Sequence, residues 1–163
     1  MKQEAAIKDA QAHLEKSIAL NPDFTEAHYH LALLLADQGE LQKAQKHIQK
    51  VIELEPAHSD GHFHLAHLFQ ELKDFEKART HFLKVIELNP NHADAHYRLA
   101  TLLEEQEEYI EARNYFEKVT EIDENYTPAY YRRARLLTGP DDYELAKQNY
   151  QMAVDIDENF AEA

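Results

Sequence analysis

The sequence predicts an all-α protein built as an array of short helix pairs, and three observations carry that expectation. Only 3 glycines occur among 163 residues, where an average chain of this length has about 11. Apolar residues recur at helical period rather than in alternating runs, as in His28-Tyr29-His30-Leu31-Ala32 and Ala44-Gln45-Lys46-His47-Ile48. The third observation is a repeat. Asn21-Pro22, Glu55-Pro56 and Asn89-Pro90 stand 34 residues apart, and the next steps fall on Glu124-Asn125 and Glu158-Asn159. The stretches before them also match: Val51-Ile52-Glu53-Leu54, Val85-Ile86-Glu87-Leu88 and Val119-Thr120-Glu121-Ile122.

Taken in order, the chain divides into a leading half-unit (1–24), four complete units (25–58, 59–92, 93–126 and 127–160) and a short remainder (161–163). Each complete unit holds two apolar stripes of helical spacing separated by a short turn, such as Asp37-Gln38-Gly39-Glu40. The last turn, Thr138-Gly139-Pro140-Asp141, differs. Glycine past a helix end and proline after it predict a sharp stop, with Asp141 or Asp142 capping the next helix. Arg133 is a second irregularity, because it occupies the place held by Leu31, Leu65 and Leu99 in the other units. Its stem must snorkel or the packing shifts.

This 34-residue helix-turn-helix spacing resembles the tetratricopeptide repeat along the whole chain. The small eighth residue is Ala32, Ala66, Ala100 and Ala134, and the twentieth is Ala44, Ala78, Ala112 and Ala146. The large twenty-fourth residue is Ile48, Phe82, Phe116 and Tyr150. The resemblance implies a right-handed superhelical solenoid of antiparallel helix pairs. Residues 1–24 then match the second helix of a preceding repeat, with Ala10, Leu14 and Pro22 in register, and Ala161-Glu162-Ala163 begins a truncated next unit. The chain reads as a fragment of a longer array. The helix expected over 141–157 turns Leu145, Met152 and Ile156 toward a missing neighbour, which implies weak self-association through the truncated ends.

Charge and composition remove other classes. With 17 basic and 31 acidic side chains the net charge is −14, which argues against nucleic acid and against an anionic membrane surface. There is no cysteine for a disulfide or thiolate site. The N-terminal segment has no apolar core of the signal-peptide kind, and the longest apolar run, Leu31 to Ala36, is far too short to cross a bilayer. The expected location is cytoplasmic. Neither a phosphate loop nor a nucleophile–base arrangement is present, so no enzymatic activity and no cofactor are expected.

In the family the sequence resembles, the first helices line a concave groove. Its fifth position is Tyr29, Phe63, Tyr97 and Tyr131, a ladder that serves either as a binding surface or as packing between helices. The sixth position is His30, His64, Arg98 and Arg132, and the ninth includes Leu33, His67, Thr101 and Arg135. Spacing at i,i+4 pairs Glu26 with His30, Asp60 with His64 and Asp94 with Arg98. Pro128 breaks this pattern in the last unit, which leaves Arg132 and Arg135 as unpaired anchors for acidic ligand groups, or as plain solvated charge. The lysine and asparagine with which some members grip a C-terminal carboxylate are replaced here by Tyr29 and Leu33, and only Arg98 fits that pattern.

Eleven histidines raise a metal reading. His28, His62 and His96 fall at the fourth position, usually a bulky core place, and read as packed imidazoles. His30, His64, His67 and Asp60 form a weak candidate metal set, or a pH-sensitive groove. The glutamates at 104, 105, 107, 108 and 111 read as a solvated turn, or as a face for a basic partner. The function expected from all this is a scaffold that binds a peptide or protein segment, one bearing acidic groups. Alternatives are a regulatory or substrate-presenting segment of a larger enzyme, and a self-assembly module.

Overall fold

A computed structural model describes residues 2–157, with residues 2–4 as backbone only. Among the described residues the chain is all-α, a helical-repeat fold of nine helices: α1 (Lys2–Leu20), α2 (Thr25–Asp37), α3 (Leu41–Leu54), α4 (Ser59–Glu71), α5 (Phe75–Leu88), α6 (Ala93–Glu105), α7 (Tyr109–Ile122), α8 (Thr127–Arg135) and α9 (Tyr143–Ile156). They fall into two compact units, Met1–Leu88 and Asn89–Ala163. In the first, α1 packs on α2, α2 pairs with α3, α3 packs on α4, and α4 pairs with α5. In the second, α6 pairs with α7, α7 packs on α8, and α8 pairs with α9. In the first three pairs, three-residue connections between helices of similar length force the two helices to run antiparallel. Residues 161–163 and the end of the 127–160 segment lie outside the described residues.

Small and large residues alternate where helices meet. Ala32, Ala66 and Ala100 on the first helices and Ala44, Ala78 and Ala112 on the second are fully buried or nearly so. A methyl group at these crossings lets two backbones approach, and Ile48, Phe82 and Phe116, all fully buried, fill the space beside them. In α9 the corresponding Ala146 and Tyr150 are only half-buried. On the same helix Leu145 and Met152 are exposed, and Ile156 is half-buried.

The turn inside each of the first three pairs is one motif. Gly39, Lys73 and Glu107, 34 residues apart, all have positive φ, at 77°, 60° and 63°. The following amide closes each helix with a six-residue bond, Glu40 to Leu35, Asp74 to Phe69 and Glu108 to Leu103, at 2.8–2.9 Å. Only the first pair, α2 and α3, supplies glycine for this left-handed residue. Lys73→Gly and Glu107→Gly are therefore each expected to raise stability by about 0.5–1 kcal/mol, the relief of Cβ strain exceeding the added freedom of the unfolded chain. Urea unfolding of the two variants checks this, and a loss of stability would overturn it.

The fourth pair departs from the motif. α8 stops at Arg135 after nine residues, where the other first helices have thirteen. Asp142 precedes α9, but its carboxylate makes no helix cap. Its Oδ2 instead accepts from the Gly139 N–H at 2.9 Å and lies 3.8 Å from Arg113. The expected cap is thus a clamp on the turn, and a Cβ on Gly139 would stand 2.8 Å from that oxygen. Arg133 does snorkel. Its side chain is 14% exposed and its guanidinium meets Glu117 on α7, while its Nε is buried with no partner.

Candidate functional site

Each unit carries one set of the expected site residues on its first helices. In the unit spanning Met1–Leu88, Tyr29 on α2 is half-buried and its ring lies 5.2 Å from His58 and 5.6 Å from His64. Burial, and secondarily the charge of Asp60, raise its phenol pKa. Phe63 on α4 sets its edge against Phe82 on α5 at 5.9 Å. Packing between helices is thus one role of this ladder: Phe63 meets a ring of the second helix of its pair, whereas Tyr29 meets rings at the start and on the face of α4. His64 is half-buried, and desolvation lowers its pKa against the opposing pull of Asp60.

Two expectations fail in this unit. No ion pair within 4 Å joins Glu26 to His30 or Asp60 to His64 among the described residues. The candidate metal set does not converge either. Among the described residues no three histidine or carboxylate side chains stand close enough to hold an ion, and His67 turns its Nδ1 to within 3.5 Å of Glu71, one turn along its own helix. His30 remains exposed beside the Tyr29 ring.

In the unit spanning Asn89–Ala163 the side chains interlock across helices. Tyr97 on α6 is half-buried, edge-on to Phe116 of α7 at 5.6 Å and 5.0 Å from the ring of Tyr126. Tyr126 donates its hydroxyl to Asp94 at 2.8 Å. Asp94 is therefore engaged there, and it forms no ion pair with Arg98. Burial first, then the bond to Asp94, push the Tyr126 hydroxyl well above its ordinary pKa. Arg132 is the largest correction. It donates through Nη1 to Glu104 at 2.7 Å and through Nε to the Tyr97 hydroxyl at 3.1 Å, so it is not an unpaired anchor. Burial works against its charge, but Glu104 and Tyr97 outweigh it and keep its pKa raised.

What stays open is the flank of that cluster. Arg98 and Arg135 are exposed and have no carboxylate within 4 Å among the described residues. The Arg135 guanidinium rests over the Tyr131 ring at 5.7 Å, and Tyr131 in turn meets Tyr150 on α9 at 5.8 Å. Thr101 spends its hydroxyl on the Arg98 carbonyl of its own helix. Arg135 also borders a cleft of about 420 Å³ with Glu104, Tyr109, Leu136 and Thr138. Glu104 and Tyr126 were not foreseen as site residues. The signal for Tyr126 was a ring at the last place of three successive repeats, His58, His92 and Tyr126.

Antiparallel helix pairs on a 34-residue step, with aromatic and charged side chains displayed on the first helices, define a helical-repeat interaction protein. Tetratricopeptide repeat models match residues 3–62, 56–125 and 127–160. The chain belongs to the tetratricopeptide repeat family, and its fold is that of a protein-interaction scaffold. No curated protein matches the sequence. Among solved structures, MamA is similar over 99% of this chain and 95% of its own at 20% identity, with TM-score 0.88. YrrB, described as a TPR protein with an unusual peptide-binding site, is 20% identical over 99% of this chain and 83% of its own, with TM-score 0.80. PilF of Pseudomonas aeruginosa is 21% identical over 94% and 70%, with TM-score 0.82. At these identities the likeness is one of fold. Among the described residues no helix is long and apolar enough to cross a membrane.

Proposed function

We propose that the chain binds an extended peptide segment with acidic groups along the first-helix face of its second unit, α6 and α8. The observation that carries this reading is the placement of Arg98 and Arg135, two exposed guanidinium groups without a carboxylate partner among the described residues, in a chain of net charge −14. Between them lies a floor made rigid by the Arg132–Glu104 and Tyr126–Asp94 bonds. A floor already ordered loses little entropy when a peptide docks, and the half-buried rings of Tyr97 and Tyr131 supply contact area. The likeness to a fold with a peptide-binding member, YrrB, agrees with this class of ligand.

Calorimetric titration of an acidic peptide into the wild type and into Arg98→Ala/Arg135→Ala tests it. The double variant is expected to bind about tenfold more weakly, close to 1.4 kcal/mol, and wild-type binding is expected to weaken with salt because both groups are exposed. Equal affinities would leave the two arginines as ordinary surface charge.

A further inference from the structure

In the first unit, the two helices of each pair are joined by two histidines meeting nitrogen to nitrogen. His28 Nδ1 on α2 lies 2.9 Å from His47 Nδ1 on α3, and His62 Nδ1 on α4 lies 2.9 Å from His81 Nδ1 on α5. In both pairs the ring centroids are 5.1 Å apart. That is 2.2 Å beyond the nitrogen separation (5.1 − 2.9), about the span of the two ring radii, so the imidazoles meet end to end, as a near-linear N–H···N bond requires.

The proton positions follow from the neighbours. His28 Nε2 stands 2.9 Å from the Pro22 carbonyl and His62 Nε2 stands 3.0 Å from the Pro56 carbonyl. A carbonyl only accepts, so each Nε2 carries hydrogen. With both rings neutral, Nδ1 of His28 or His62 is then a lone pair, and His47 or His81 donates to it. One added proton is tolerated: the first ring becomes an imidazolium that donates through Nδ1, and the second ring moves its hydrogen to Nε2. A second added proton leaves N–H facing N–H between two cations. We propose that the His28–His47 and His62–His81 pairs are proton-operated latches, which hold α2 to α3 and α4 to α5 until each pair takes up its second proton.

The surroundings set when that happens. Desolvation first, and the charge of the partner second, lower the pKa of His47 and bring that of His81 down to about 4. Of the charged groups around the latches, Glu15 on α1 acts on His47 in the opposite direction, whereas His81 is influenced only by His62 and is stacked under Phe69 at 5.6 Å. A histidine whose folded pKa is depressed binds more protons unfolded. Its contribution is therefore complete above about 6.5 and is lost as pH falls from there toward 4. The second unit provides an internal contrast. His96 faces Tyr115, 5.8 Å away between ring centroids, its Nδ1 has no partner, and the next places in register are Tyr130 and Asn149.

The full chain, labelled with nitrogen-15, is expected to show a coupling across the hydrogen bond between Nδ1 nuclei of each pair at pH 7, lost on acidification toward pH 4. His47→Tyr/His81→Tyr copies the His96–Tyr115 arrangement and removes the second titrating ring. Between pH 7 and 4.5 the wild-type urea midpoint is expected to fall at least twice as far as that of the double variant. Equal falls would overturn the latch. So would a folded wild type without the couplings at pH 7, a result that decides the matter even if the double variant does not fold.

Discussion

Truncating Phe116 to alanine is expected to lower stability by about 3–5 kcal/mol, the range for removing a fully buried aromatic side chain. Phe116 sits on the α7 face that meets α6 and α8, is 0% exposed, and backs the Tyr97 ring at 5.6 Å. Ala112, one turn earlier on α7, is fully buried and too small to fill the space. The midpoint of urea unfolding should fall with the slope unchanged. The peptide binding proposed above should weaken too, since the Tyr97 ring loses its backing. The equivalent change in the last pair, Tyr150→Ala, should cost about half as much, because Tyr150 is only half-buried. A loss below about 1 kcal/mol for Phe116→Ala would contradict the packing scheme, because a sealed site cannot lose a ring so cheaply.

Replacing Arg133 by leucine is expected to raise stability by about 1–2 kcal/mol. Leu31, Leu65 and Leu99 occupy the same place and are at most 2% exposed, so the site accepts an apolar branch. The arginine satisfies it imperfectly: its stem is covered, its Nε has no partner, and its one ionic contact, Glu117, is itself 47% exposed. Desolvating a charge to reach a partly solvated carboxylate recovers little, whereas leucine adds buried apolar area. Glu117 is exposed enough to stand alone in water. For a chain of this size the change corresponds to a melting-temperature rise of about 2–8 °C. A fall in melting temperature would mean that the Arg133–Glu117 pair fastens α8 to α7.

The helices and their packing faces were legible in the sequence because both are local and periodic. A turn of helix repeats every 3.6 residues, a helix pair every 34, and a small residue at a crossing has the same meaning in each copy. The positions of Ala32, Ala66 and Ala100, and the burial of His28, His62 and His96, followed from register together with the resemblance to the repeat family. The left-handed residue at 73 and 107 could be suspected by analogy with Gly39, but lysine and glutamate give no sign of it, since the conformation is imposed by closing the turn.

Polar partnerships were another matter. The sequence determined which side chains face outward, but only the tertiary structure decided whom they meet. Asp94 was matched with Arg98 four residues on, yet it accepts from Tyr126, 32 residues away. Arg132 was read as unpaired because Pro128 precedes it by one turn, yet Glu104, 28 residues back on α6, holds it. His28 and His47 are 19 residues apart. Spacing rules within a helix describe neighbours that compete with water on one exposed surface, where a pair is worth only a few tenths of a kcal/mol. Once two helices pack, a partner across the seam is reached in a partly dry space. Water screens the attraction less there, and an unmet polar group costs more, so the contact across the seam prevails over the one along the helix.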